Sequence, residues 1–62
     1  MKTFKIVYYD PETDKYIHQN VKASSFGSDK GFMYFTSIDD KNITFLVLAL
    51  NINNLISIEQ VQ

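Results

Sequence analysis

The stretch Ile43-Thr44-Phe45-Leu46-Val47-Leu48-Ala49-Leu50 decides the fold of this 62-residue chain. Eight nearly uninterrupted apolar residues fit either a buried strand or a segment of buried helix, because periodicity alone does not separate the two. Length and residue type separate them. The run is short, and its Ile, Thr, Phe and Val are β-branched or aromatic side chains that favour extended backbone. Continued as a helix to residue 60, it would also carry Asn51, Asn53 and Asn54 in mid-helix, where short amides compete with the backbone for hydrogen bonds. The stretch therefore reads as a strand. Its lack of alternation predicts burial on both faces.

Outward from it, both flanks read as β structure. Asn51-Ile52-Asn53-Asn54 suits a one-turn 3₁₀ connection, and Leu55 to Val61 alternates as a half-buried strand. On the other side, Asp39-Asp40-Lys41-Asn42 is a polar hairpin connection preceded by a strand over 31–38. Residues 23–31 are rich in Ser, Gly and Asp around a single aromatic, Phe26, and read as the longest loop. Further back, Lys15 to Lys22 alternates with Ile17 and Val21 inward. Thr3 to Tyr9 places Phe4, Ile6 and Tyr8 on one face, and Asp10 to Lys15 with Pro11 reverses the chain between these strands. Five short strands in hairpin order predict an all-β domain, a small antiparallel barrel whose closure hides its edges.

Ile6-Val7-Tyr8-Tyr9-Asp10, followed by an acidic loop, resembles the opening of SH3-type domains. Leu50-Asn51-Ile52-Asn53-Asn54-Leu55-Ile56 is similar in position to their 3₁₀ turn and last strand. The resemblance implies a five-stranded SH3-like barrel. It does not extend to proline-rich ligands, because the family's groove uses a Trp and a Pro, whereas this chain has no Trp and its one Pro is Pro11. The ending Asn53-Asn54-Leu55-Ile56-Ser57-Ile58-Glu59 also resembles short uncharacterised proteins of low-GC bacteria and their phages. Ile, Lys, Asn, Tyr and Phe, all with AT-rich codons, make up 27 of the 62 residues and point to such a genome.

Composition excludes several classes. A hydrophobic share of 45% with 21% charged residues is that of a folded domain, and this length admits only one. No Cys is present, which removes disulfides, thiolate chemistry and Cys-based zinc sites. The amino terminus alternates at once, so neither a secretory signal nor a membrane span is expected, and a cytoplasmic location follows. On that reading the Asn42-Ile43-Thr44 sequon stays unused. A net charge of -1 gives no field favouring nucleic acid or anionic lipid.

Catalytic and metal chemistry find no constellation. Asp10, Glu12 and Asp14 begin a calcium-loop spacing but lack the glycine and the later Glu, so a solvated hairpin tip is expected. His18 is the single histidine and has no motif partner, and the acids show no pairing across a cleft. No enzyme activity, metal or cofactor is expected. Contact chemistry is richer. Tyr8, Tyr9 and Tyr16 offer rigid contact area for a protein partner, and Phe26 is either a fourth contact or a plug for the barrel's open end. If strand 43–50 uses one face internally, Phe45, Leu46, Val47 and Leu48 supply an oligomer interface on the other. The sequence thus predicts a non-enzymatic protein-binding or assembly module, self-associating or bound to another protein. The alternative is a single-stranded nucleic-acid binder stacking bases on Tyr8, Tyr9, Tyr16, Phe32, Tyr34 and Phe35, with Lys5, Lys15 and Lys22 meeting on the first hairpin.

Overall fold

The computed structural model describes all 62 residues. Six strands carry the chain: β1 (Lys2–Asp10), β2 (Lys15–Ala23), β3 (Ser25–Asp29), β4 (Phe32–Ile38), β5 (Thr44–Asn51) and β6 (Leu55–Gln60), with a 3₁₀ turn at Ile52–Asn54 before the last. They form two antiparallel three-stranded sheets, ordered β2-β1-β6 and β3-β4-β5.

Short polar side chains set the turns. The Asp10 carboxylate accepts the Glu12 N–H at 3.0 Å and the Thr13 hydroxyl at 3.1 Å, closing the β1–β2 reversal. Asp39 Oδ1 accepts the backbone N–H groups of Lys41 and Ile43, each at 2.9 Å, and Asn42 takes the left-handed conformation that asparagine tolerates. Asn51 Oδ1 accepts the Asn53 N–H at 3.0 Å and starts the 3₁₀ turn.

The expected count of five strands is corrected to six. Ser25–Asp29, read as part of a loop over 23–31, is β3, and Lys30-Gly31 at φ 52° and 82° is the two-residue turn joining it to β4. Ser, Gly and Asp have weak strand preference, so β3 is imposed by its ladder with β4 rather than by its own composition.

The expected barrel does not close. β2 and β3 are nearly one ribbon, bent at Ser24, whose N–H donates to the Thr36 carbonyl at 2.8 Å. β5 and β6 are bent apart by the 3₁₀ turn in the same way. Each bend hands the chain from one sheet to the other, yet β2, β3, β5 and β6 all keep one edge without a strand neighbour.

Stretch 43–50 is also not buried on both faces. Only Leu48 and Leu50 pack against the core, while Phe45, Leu46 and Val47 are exposed. The ladder explains this, since Phe35 stands opposite Leu48 and Thr36 opposite Leu46, leaving Val47 as the extra residue of a β-bulge.

The core is small. Phe4, Ile6, Val21 and Ala23 from the first sheet meet Phe35 from the second, with Tyr8, Met33, Leu48, Leu50 and Ile58 packed around them. Ser37, also buried, satisfies its hydroxyl against that of Ser24 at 3.2 Å. The molecule measures 39 × 26 × 16 Å with a radius of gyration of 12.1 Å, against about 10.6 Å for a compact chain of this length. Its accessible surface of 4540 Å² likewise exceeds the roughly 4,100 Å² expected for its mass.

Two stability changes follow. Phe35→Ala removes a fully buried ring at a cost of about 3–5 kcal/mol. That is most of the roughly 3–9 kcal/mol available to a domain of this length, so urea titration should find the variant largely unfolded in dilute buffer. Lys30→Asn relieves the left-handed strain of the β3–β4 turn and should raise stability by about 0.5–1 kcal/mol, a thermal midpoint gain of several degrees.

Candidate interaction surface

The ladders sort the side chains by face. With Phe4 and Ile6 inward, Thr3, Lys5, Val7 and Tyr9 of β1 lie on the outer face of the first sheet, beside Lys22, Asn20, His18 and Tyr16 of β2. Tyr9 and Tyr16 stand directly opposite, ring centroids 5.6 Å apart, and the Tyr9 hydroxyl donates to the Asp14 carboxylate. Glu59 of β6 faces Lys5 across the ladder. This face is mixed in charge and polar between its aromatics.

The four tyrosine and phenylalanine contacts expected from sequence do not share it. Tyr8 points the other way, packs on the core and donates its hydroxyl to Gln19 Oε1 at 3.2 Å. Phe26, on β3, lies edge-on to Phe4 with centroids 5.2 Å apart and sits 5.8 Å from Phe35. It plugs the core between the sheets while keeping one side in solvent. Lys5 and Lys22 share the outer face of the first hairpin, whereas Lys15 pairs with Asp10 at its end with the opposite parity.

The β5 candidates divide as well. Leu48 belongs to the core's rim, but Phe45, Leu46 and Val47 are 46%, 57% and 40% exposed. Two residues that sequence reasoning passed over join them. Ile38 and Ile43, flanking the β4–β5 turn, are 52% and 57% exposed. Their signal was available in the sequence: apolar side chains at both ends of the Asp39–Asn42 turn lie beyond the last residue the core can reach.

The outer face of the second sheet continues this surface. Phe32, Tyr34, Thr36 and Ile38 lie along β4, with Thr44, Leu46 and Ala49 opposite them on β5. Phe32 and Tyr34 stack with centroids 6.3 Å apart, and Tyr34 has only Gly27 and Ala49 as its cross-strand neighbours. Residues 42–58 contain no Asp, Glu, Lys or Arg. The outer face of the first sheet thus carries Lys5, His18, Lys22 and Glu59, whereas that of the second carries Phe32, Tyr34, Ile38 and Leu46 with Asp29 as its one charge.

Other chemistry is spread out. Asp10 and Asp14 are engaged within the first turn, His18 stands exposed opposite Val7, and no three acids or histidines gather at one point. The surface has no enclosed pocket. No helix is long and apolar enough to cross a membrane. No protein-family model matches the chain, and comparison with curated proteins and with solved structures likewise finds no match.

The Tyr9 phenol is held above its ordinary value of 10.0, first by the hydrogen bond it donates to Asp14, then by partial burial and by the nearby Tyr16 and Asp10. A raised phenol pKa means that the folded state favours the neutral form. Its contribution is therefore complete below pH 10 and disappears as pH rises through the elevated value. Tyr9→Phe should be less stable than the parent at pH 7 and should lose less stability between pH 9 and pH 11, as thermal melts across that range would show.

Proposed function

We propose that this chain is a non-enzymatic protein-binding or assembly module that works through the apolar end of the β4–β5 hairpin. One observation carries the reading. Ile38, Ile43, Phe45, Leu46 and Val47, each about half exposed, lie on both faces of one hairpin end, in a domain whose surface already exceeds that expected for its mass. Full burial of one such side chain is worth about 1.5–3 kcal/mol, so covering the exposed halves of five contributes on the order of 4–7 kcal/mol before association costs. A surface without a pocket suits a broad protein contact better than capture of a small molecule.

The outer face of the first sheet supports a second reading, single-stranded nucleic-acid binding. There Tyr9 and Tyr16 form a stacking platform next to His18, on a face that also carries Lys5 and Lys22 farther along the hairpin. Glu59 beside Lys5 and the absence of Arg weigh against it.

A photoreactive phenylalanine analogue at Phe45 tests the leading reading. Irradiated in an extract of the source cell, it should give a discrete adduct, either with another protein or at twice the chain's mass. The same analogue at Thr13, on the β1–β2 turn, should give none. Absence of any adduct from Phe45, or equal adducts from both positions, would rule the surface out. Oligonucleotide binding that weakens with salt and is lost in Tyr16→Ala would favour the nucleic-acid reading instead.

A further inference from the structure

Four strand edges are free, and three are short or charged. β2 bears Lys15, His18 and Lys22. β3 is five residues long, with Gly27 in the middle and Asp29 at its end. β6 is six residues long, carries Glu59, and bulges at Ile56, where the ladder shifts between Val7 opposite Ser57 and Tyr8 opposite Leu55. β5 has eight residues, no charge and no proline, and its single irregularity is the bulge at Val47. An edge of this kind presents an open row of backbone donors and acceptors to another strand.

The hydrogen bonds show which groups are open. The Ile43 N–H donates to the Asp39 carboxylate at 2.9 Å, and its carbonyl accepts the Asp39 N–H at 3.1 Å. Both Ile43 groups therefore point toward β4. By strand alternation those of Phe45 do too, and those of Thr44 and Leu46 point away to the free edge. Thr44 and Leu46 are exposed, and neither has a hydrogen bond outside the β4 ladder.

Resting on the assembly reading above, we propose that a second copy of this chain pairs antiparallel with that edge across a two-fold axis at Phe45. Thr44 then exchanges both of its backbone bonds with Leu46 of the second copy, and Leu46 with Thr44 of the second copy. Phe45 meets its own counterpart in a non-hydrogen-bonded pair, the position where cross-strand side chains approach closest. This register uses only residues before the bulge, so inner face meets inner face throughout. A centre at Leu46 or Val47 would set side chains of opposite faces against each other.

Two arguments make the partner a second copy. A symmetric pairing repeats every residue opposite its own strand, which is tolerable only where no charge is repeated, and β5 is the one edge that meets this condition. The seam itself is also apolar: Phe45, 46% exposed, meets its counterpart on the inner face, and Leu46, 57% exposed, lies beside Thr44 of the second copy on the outer face. The product is a continuous six-stranded sheet whose outer face carries Phe32, Tyr34 and Leu46 from both copies.

The chain has no cysteine, so single cysteines report contacts without interference. Sedimentation equilibrium of the unaltered protein from about 1 μM to several hundred μM should show the mass rising from 7.2 kDa to twice that value. Under mild oxidation Phe45→Cys should form a disulfide dimer at least ten-fold faster than Leu46→Cys or Ser28→Cys. Its Cα atoms would lie within disulfide range, whereas Leu46 would sit about 8 Å from its own counterpart. Leu46→Lys, exposed in the monomer and therefore tolerant of the change, should keep its far-ultraviolet spectrum and raise the dimerisation midpoint ten-fold or more. A monomer at every concentration overturns the proposal, as does a dimer in which Ser28→Cys or Leu46→Cys links as fast as Phe45→Cys. A monomer whose Phe45 still forms an adduct in extract overturns self-pairing alone and leaves protein binding standing. A monomer without that adduct removes both.

Discussion

Phe4 and Phe35, one from each sheet, meet with ring centroids 5.8 Å apart, and Phe26 closes against both. This aromatic contact is what makes two three-stranded sheets one domain. Neither sheet has another large, fully buried side chain to offer except Ile6, since the remaining buried positions are Val21, Ala23 and Ser37. A two-sheet domain ordinarily interdigitates side chains along the length of both inner faces. Here the interdigitation is confined to a few rows, and the rest of the molecule is arranged around that limit. The two bends, at Ser24 and at the 3₁₀ turn, bring the sheets face to face over those rows and no further. The β4–β5 hairpin runs past the last covered row, at Ser37, and leaves its tip without a cover.

Much of the chain was legible because its local signals are strong and agree with one another. The Phe4, Ile6 and Tyr8 alternation, the Asp10 and Asp39 turns, the Asn51 start of the 3₁₀ turn and the final alternating strand are each set by residues within a few positions. Strand β3 was not legible, since Ser-Phe-Gly-Ser-Asp has the composition of a loop and becomes a strand only when β4 supplies hydrogen-bond partners. The bends were hidden for a related reason: a corner at Ser24 is held by the Thr36 carbonyl, twelve residues away in sequence. Barrel closure depends on whether edges meet, and no local pattern encodes that. Among the contact residues, Tyr9 and Tyr16 were found together because hairpin register follows from a short turn. Tyr8, on the face of Phe4 and Ile6, and Phe26, readable as a contact or as a plug, turn toward the core because the opposite sheet decides what is covered.

The apolar stretch 43–50 shows how one residue changes the meaning of a pattern. In an unbroken strand Leu46, Leu48 and Leu50 would share a face, and all three would turn toward the core. The bulge at Val47 shifts the parity. Leu48 and Leu50 stay inward, Leu46 passes to the outer face beside Thr36, and Phe45 returns to the inner side opposite Ser37. An apolar run that looks doubly buried in sequence is therefore divided into a half that completes the core and a half that remains outside it. Bulges commonly re-aim side chains near the edge of a sheet. In this molecule the effect is to gather Phe45, Leu46 and Val47 at a free edge instead of distributing them.

Charge placement follows the same division. The six Lys and seven acids are sparse but not random, as they occupy the turns, the outer face of the first sheet and three of the four free edges. Residues 42–58, which include the whole of β5, contain none. Had the only requirement been solubility of an isolated domain, a lysine at Leu46 would cost nothing in the core, because that side chain touches solvent rather than Phe4 or Phe35. That edge is left apolar at a position where a charge would be structurally free. The same 62 positions that cannot cover two full sheets thus leave uncovered the one segment whose chemistry suits contact with another strand.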